Sequence, residues 1–163
     1  MRKMIGFSCL LILVLFGSGS ALAAQVPLPT DINIVLPSAN LPKEIGAFSG
    51  RWEGTWEGTL QAILIVEEIG PEKAKVIYAW ADAPAWNVKQ GYKRYTAEVI
   101  SGGKTTLEFI ADNKTKYVVE SGDDVDTIKM VGLRGPTAQF NPQKRLQQPE
   151  RKHSREVKMK RVK

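Results

Sequence analysis

The chain has 163 residues, and its 43% hydrophobic and 25% charged content is ordinary for a folded protein, which excludes wholesale disorder. A single Cys excludes a disulfide framework, and a single His excludes most zinc sites. The net charge is +6, but nine basic residues and only two Glu fall in the last 21 positions. The high isoelectric point therefore belongs to the C-terminal segment and does not indicate a basic binding face on the rest of the chain.

The first 24 residues have the layout of a secretory signal peptide. Arg2 and Lys3 form a short positive segment, Phe7–Phe16 is an apolar run, and small residues follow with an Ala-x-Ala pattern at Ala21–Ala23. The alternative is a membrane anchor, which needs about 20 apolar residues, more than this run supplies. We expect cleavage after residue 23 or 24, a secreted or periplasmic location, and no transmembrane span in the mature chain.

The remaining sequence divides into three predicted parts. Residues 25–44 hold four prolines and predict an extended linker, in which Ile32–Leu36 could pair as an edge segment. Residues 45–142 show short apolar runs separated by turn signals about every 8–12 residues, which is typical of an all-β domain. Residues 143–163 are highly charged and poor in apolar side chains, and this composition predicts a disordered basic tail.

Alternating apolar residues predict seven strands in the body and a weaker eighth. The second strand is apolar on both parities, so we expect both of its faces to be covered. Mostly tight turns join the strands, and a meander of this length hides its edges by closing. The predicted fold is all-β, a single antiparallel up-and-down meander of 7–8 strands closed or nearly closed into a barrel. The predicted strands are Arg51–Thr59, Leu60–Ile69, Ala74–Trp80, Tyr92–Ile100, Thr105–Ala111, Thr115–Glu120, Asp126–Leu133 and Thr137–Phe140.

A repeated Trp-Glu-Gly-Thr unit begins the first strand, at residues 52–55 and again at 56–59. Residues four apart in a strand share a face, so Trp52 and Trp56 are expected on the same side of the sheet. Gly54 between them leaves space for a ring, a ligand or a neighbouring backbone. The alternative interpretation is that both Trp side chains pack the core at the base of a small barrel.

The Gly50-Arg51-Trp52 motif, after a signal peptide and before a meander of this size, resembles the opening of the calycin group, the lipocalins and fatty-acid-binding-like barrels. The resemblance implies a ligand-binding barrel whose Trp packs at the closed end. It also implies an Arg late in the chain that lies over this Trp, for which Arg134 and Arg145 are candidates. A second stretch, from Tyr78 to Trp86, is similar to small exported bacterial proteins, and that similarity implies no activity.

The most aromatic part of the body is Tyr78–Tyr95, which spans the longest predicted loop and holds two Trp and three Tyr. Loops at a barrel mouth carry function more often than buried strands do. Aromatic rings here could stack on a small apolar, aromatic or sugar-like ligand, with two short polar side chains fixing its orientation. The alternative is a self-packed loop that caps the barrel. The predicted ligand-binding residues are Tyr78, Trp80, Asp82, Trp86, Asn87 and Tyr95.

The basic tail carries a second hypothesis, an envelope interaction protein that binds an anionic surface. A third is polysaccharide recognition through the aromatic loop. The alternative for the tail is a solvated, solubilising segment. No aromatic residues are interleaved with its charges, so no nucleic-acid partner is expected. The predicted surface-binding residues are Lys144, Arg145, Arg151, Lys152, Arg155, Lys158, Lys160 and Arg161.

Catalysis has little support in the sequence. His153 lies in the tail without a neighbouring carboxylate to orient it, and the only Cys falls within the signal segment. Glu53 and Glu57 are interpreted as surface acids. The Asp123-Asp124-x-Asp126 run lacks the Gly and closing Glu of a calcium loop. We therefore expect a non-enzymatic protein without cofactor or metal.

Overall fold

The computed structural model of the chain describes residues 25–134 and 154–162. Within them, eight antiparallel strands form an up-and-down meander that closes into a barrel, because β1 pairs with β8. The predicted all-β closed meander is confirmed. The strands are β1 (Gly50–Trp56), β2 (Leu60–Ile69), β3 (Lys73–Trp80), β4 (Gly91–Ile100), β5 (Thr106–Ile110), β6 (Thr115–Ser121), β7 (Thr127–Arg134) and β8 (Ser154–Val162), with a short helix α1 (Lys43–Gly46) before β1 and a 3₁₀ turn (Pro84–Trp86) between β3 and β4.

The closing strand β8 corrects the predicted disordered tail. Val157 and Met159 are buried in the barrel core, and the charged residues that alternate with them are exposed. This alternation gives β8 an apolar face, and pairing with β7 and β1 satisfies its backbone groups on both sides. The barrel therefore extends beyond the predicted boundary at residue 142. The predicted eighth strand, Thr137–Phe140, lies outside the described residues.

The barrel interior is filled by one parity of each strand, as the alternation predicts for strands such as β3 with Val76 and Tyr78. The outer face of β2 and β3 is also buried. There Ile63, Ile65 and Ile77 pack against apolar side chains of residues 25–32. The prediction that the second strand is covered on both faces is confirmed.

The N-terminal segment, residues 25–36, is here called the strap because it lies across the outside of the barrel. The sequence predicts an extended linker at this position, and the structure shows in addition that Val26, Leu28 and Ile32 pack on the outer face of β2 and β3. The predicted pairing of Ile32–Leu36 is seen as one backbone hydrogen bond, from the Val35 N–H to the Glu67 carbonyl oxygen at 2.7 Å. Burial of the strap's apolar side chains gives this proline-rich segment a fixed position.

A β-bulge in β2 holds the strap. The register with β3 shifts between Val66 and Glu68, so that Val66 and Ile69 both reach the core although three positions separate them. The bulged residue, Glu67, accepts a hydrogen bond from a strap backbone N–H at 3.2 Å. Its carboxylate also pairs with Arg94, whose guanidinium forms a second ion pair with Asp31 of the strap at 2.8 Å.

The closed end of the barrel is built around Trp52, which is 1% exposed. Its indole N–H donates to the Phe48 carbonyl oxygen at 2.8 Å. The guanidinium of Arg161 lies 4.1 Å from the indole ring and donates to the carbonyl oxygens of Ala47 and Ser49, both at 2.7 Å. The late Arg over the first Trp is thus Arg161, and the prediction of Arg134 or Arg145 is wrong. A closed barrel with this base is consistent with a calycin-like fold.

Candidate functional site

The end of the barrel opposite Trp52 contains an open cavity of about 830 Å³, here called the mouth cavity. The β1–β2, β3–β4 and β5–β6 connections surround it, together with the end of β7 and the start of β8. The β1–β2 connection is short because Glu57 and Gly58 both have positive φ, 46° and 68°, as in a tight hairpin turn of type I′. This turn leaves the interior open and places Glu57 at the rim.

The floor of the mouth cavity is aromatic. The indole N–H of Trp56 donates to the Tyr78 hydroxyl at 2.9 Å, and both side chains are 4% exposed. The Tyr117 ring lies 5.1 Å from that of Tyr78 and stacks on Phe109 at 5.2 Å between centroids. Tyr95 stacks on the other side of this cluster, 5.2 Å from Phe109. These offset contacts stabilise a continuous aromatic surface that ligand rings could extend.

Burial raises the pKa of the tyrosine hydroxyls in this cluster. Desolvation is the largest cause that raises the pKa of Tyr78, Tyr95 and Tyr117 above the ordinary value of a phenol. For Tyr78 the rise is large, because its ring is deeply buried. The rise moves the loss of these three protons to a pH above that of an exposed phenol, so all three groups stay hydroxyls across the neutral and mildly alkaline range.

Gly132 of β7 has no side chain and so leaves space for the aromatic rings of the cavity floor. A Cβ at this position would lie 3.2 Å from a Tyr117 ring carbon and 3.6 Å from the Trp56 ring. Any larger side chain here would push the two rings or fill the cavity between them. The sequence does not single out this glycine, because its effect depends on which rings the register places opposite it.

The β3–β4 connection, Ala81–Gln90, forms one wall of the mouth. Ala83 bridges to Val88 around the 3₁₀ turn, and Asn87 ends that turn with a φ of 52°. Two further bonds fix the connection: the Trp80 indole N–H donates to the Lys89 carbonyl oxygen, and the Asp82 carboxylate accepts from the Gln90 N–H, both at 2.7 Å. A loop fixed in this way is preorganised, which lowers the entropic cost of binding a ligand.

Charged side chains occupy the rim. Arg155, on the inward parity of β8, lies 4.3 Å above the Trp86 ring and pairs with Glu57 at 3.2 Å. On the other side, Lys93 of β4 pairs with Asp112 of the β5–β6 turn. A third cation at the rim, Arg134 at the end of β7, has no carboxylate partner among residues 25–134 and 154–162.

The structure brings together four of the six predicted ligand-binding residues. Tyr78, Trp80, Trp86 and Tyr95 all line the mouth cavity, whereas Asp82 and Asn87 do not. The carboxylate of Asp82 is engaged with the loop backbone, and Asn87 serves as the end of the 3₁₀ turn. The cavity residues that the sequence reasoning did not assign to the site include Trp56, Tyr117, Arg134 and Arg155. Their shared signal is inward parity near the mouth end of a strand.

The predicted surface-binding residues do not form a free tail where they are described. Arg155 and Arg161 face the two ends of the barrel interior, and Lys158 pairs with Asp123 at 2.7 Å. Lys160 is exposed on the outside of β8. The other four, Lys144, Arg145, Arg151 and Lys152, lie outside the described residues.

The described part of the chain contains no group of three or more His, Cys, Asp or Glu side chains arranged to hold a metal ion. Among the same residues, none of the helices has the length and apolar character needed to cross a membrane. Comparison with protein-family models, with curated proteins and with solved structures finds no match to this chain.

Proposed function

We propose that this chain is an exported, non-enzymatic protein that binds a small ring-containing ligand in the mouth cavity. The observation that carries the proposal is a cavity of about 830 Å³ with an aromatic lining on one end of a closed barrel. Small-ligand sites are concave, mostly apolar and commonly about 300–1,000 Å³. Export is proposed from the signal-like pattern of residues 1–24 alone.

The lining favours a flat ring over a flexible sugar. Trp80, Trp86 and Tyr95 are only partly buried, so their rings remain available for contact with a bound molecule. Sugar recognition through the aromatic loop relied on Asp82 and Asn87 to bind hydroxyl groups, and neither lines the cavity. Binding is proposed rather than catalysis because both rim carboxylates, Glu57 and Asp112, are paired with cations.

The envelope-interaction hypothesis has less support. It required a mobile basic segment, but residues 154–162 form a strand of the barrel. Lys129 of β7 pairs with Glu156 of β8, and Lys158 of β8 pairs with Asp123 of the β6–β7 connection, which offsets much of the positive charge on this face. Exposed pairs of this kind are also screened by salt.

Replacement of Trp86 tests the proposal. The Trp86→Ala protein should lose the change in intrinsic fluorescence and the rise in melting temperature that a bound aromatic compound causes in the parent. Trp86 is half-buried at the rim and stacked under Arg155, so the substitution should cost less than about 2 kcal/mol of stability. A ring that plugs the core would instead cost about 3–5 kcal/mol.

Tyr92→Ala is the matched control, because Tyr92 is 43% exposed on β4 and does not line the cavity. This variant should respond to the same compounds as the parent does. If a panel of mono-, bi- and tricyclic aromatic compounds gives no response in the parent, or the same response in the Trp86→Ala protein, the mouth cavity is not the binding site.

A further inference from the structure

We infer that the mouth cavity selects aromatic anions, with the ligand's rings against the aromatic floor and its negative group beside Arg134. This inference rests on the proposed function and adds the charge of the ligand to it.

The rim of the mouth cavity carries one more cation than it has carboxylates. Arg155 is matched by Glu57 and Lys93 by Asp112, whereas Arg134 has no such partner among the described residues. This excess is local, because residues 25–134 and 154–162 together hold 16 basic and 16 acidic side chains. Arg134 is exposed at the rim, so its charge can attract an anion from solution, and salt should screen part of that attraction.

The cations in the lining of the cavity only donate hydrogen bonds, and the uncharged polar side chains there can donate as well as accept. Tyr95 and Tyr117 present hydroxyl groups, which are protonated at neutral pH and can donate, and Arg134 presents guanidinium N–H groups, which only donate. The only carboxylates in the lining, Glu57 and Asp112, are already engaged with cations. A ligand that supplies acceptor oxygens, such as a carboxylate or sulfonate, matches this set better than one that supplies donors.

The position of Arg134 relative to the rings sets the shape of the ligand. Arg134 follows Gly132 on the inward parity of β7, and Gly132 lies against the rings of Tyr117 and Trp56. Arg134 pairs with Thr115 of β6, two positions from Tyr117, and the side chains of Arg134 and Tyr117 both line the mouth cavity. A ligand whose rings lie over Tyr117 would therefore place a substituent on their outer edge next to Arg134.

The inference is tested with two probes that share one ring system. 8-Anilinonaphthalene-1-sulfonate carries a sulfonate, and N-phenyl-1-naphthylamine is its neutral counterpart. Titration of the exported protein, followed by probe fluorescence, should give at least about tenfold tighter binding of the sulfonate, the effect of one charge-assisted hydrogen bond. Added salt should weaken binding of the sulfonate and leave the neutral probe unchanged.

Arg134→Gln should bring the affinities of the two probes to within about twofold of each other, because the amide retains a donor and removes the charge. Lys73→Gln is the charge-matched control; Lys73 is exposed at the start of β3, at the closed end of the barrel, and its loss should leave the ratio unchanged. Melting temperatures of both variants verify that they fold.

The possible outcomes separate the two proposals. Equal binding of both probes to the parent, or an unchanged ratio in Arg134→Gln, would overturn the anion inference and leave ring binding intact. Tighter binding of the neutral probe would overturn it too. If neither probe binds, or if Trp86→Ala binds both as the parent does, the proposed function fails and this inference fails with it.

Discussion

Met159→Ala tests whether residues 154–162 are a structural strand of the barrel. Met159 is completely buried on the inward face of β8, opposite Ile128 of β7. The substitution removes the Cγ, Sδ and Cε atoms, and at about 0.8 kcal/mol for each methylene-sized group this loses about 2 kcal/mol. A closed barrel cannot collapse fully onto the space left behind, so the total loss should lie between about 2 and 5 kcal/mol.

Urea denaturation followed by circular dichroism and Trp fluorescence measures this loss. For a domain of this size it corresponds to a fall in melting temperature of at least about 8 °C. The matched control is Lys160→Ala, because Lys160 follows Met159 directly on β8 but is exposed on the outward face. The control should stay within about 0.5 kcal/mol of the parent. A similarly small effect of Met159→Ala would refute β8 as the closing strand.

Three further substitutions test the packing of the barrel, and a fourth, Tyr78→Phe, tests the burial of a phenol through the pH dependence of stability. Arg161→Ala should cost about 2–4 kcal/mol in urea denaturation, because it removes the cation over Trp52 and leaves two carbonyl oxygens without donors; no loss would contradict the closed-end arrangement. Gly54→Ala should cost about 1–3 kcal/mol, since its Cβ would lie 2.8 Å from a carbonyl oxygen of β8. A Cβ at Gly58 would meet no atom, so only the positive φ of 68° opposes Gly58→Ala, which should cost about 1 kcal/mol. A larger loss of stability in Gly58→Ala than in Gly54→Ala would show that the register of β1 with β8 is different. Burial raises the pKa of Tyr78, so above about pH 10 the unfolded chain loses its phenolic proton first and the free energy of unfolding falls by about 1.4 kcal/mol per pH unit. Tyr78→Phe should flatten this fall between about pH 10 and 11, and parallel curves for the two proteins would contradict it.

Most of the barrel is predictable from the sequence because its strands alternate regularly between short turns. The range of β2 agrees with the prediction at both ends, since both its parities are apolar and turn residues flank it. The sequence prediction omits the closing strand, because the charged composition of residues 143–163 indicates disorder more strongly than the alternation of apolar residues indicates a strand. The outward positions of β8 are charged, so the segment has the composition of a disordered tail, although Val157 and Met159 follow the alternation of a strand.

The strap shows a second limit of sequence reasoning. Its prolines predict an extended backbone, but they do not reveal the surface that the strap covers. That surface exists because the outer positions Ile65 and Ile77 come together only when β2 and β3 pair. The bulge that places Glu67 under the strap likewise depends on the register between the two strands.

Only part of the candidate site can be predicted from the sequence, because some of its residues are brought together by strand pairing. The aromatic loop is contiguous in sequence, so Trp80 and Trp86 are visible as a cluster. Trp56 and Arg155 join them only through the closure of the barrel, in which β1 and β8 become neighbours. Asp82 was assigned to the ligand because polar side chains in an aromatic loop suggest hydrogen bonding to a bound molecule, but its carboxylate binds the loop backbone instead.

The indole N–H resonances of the four Trp residues provide the most direct measurement of ligand binding at the mouth. Three of them, Trp56, Trp80 and Trp86, line the mouth cavity, and Trp52 lies at the opposite end under Arg161. Titration of ¹⁵N-labelled protein with 8-anilinonaphthalene-1-sulfonate should shift the three mouth resonances in a saturable manner and leave that of Trp52 in place. Shifts that are absent, or that affect Trp52 as much as the other three, would contradict a ligand site in the mouth of the barrel.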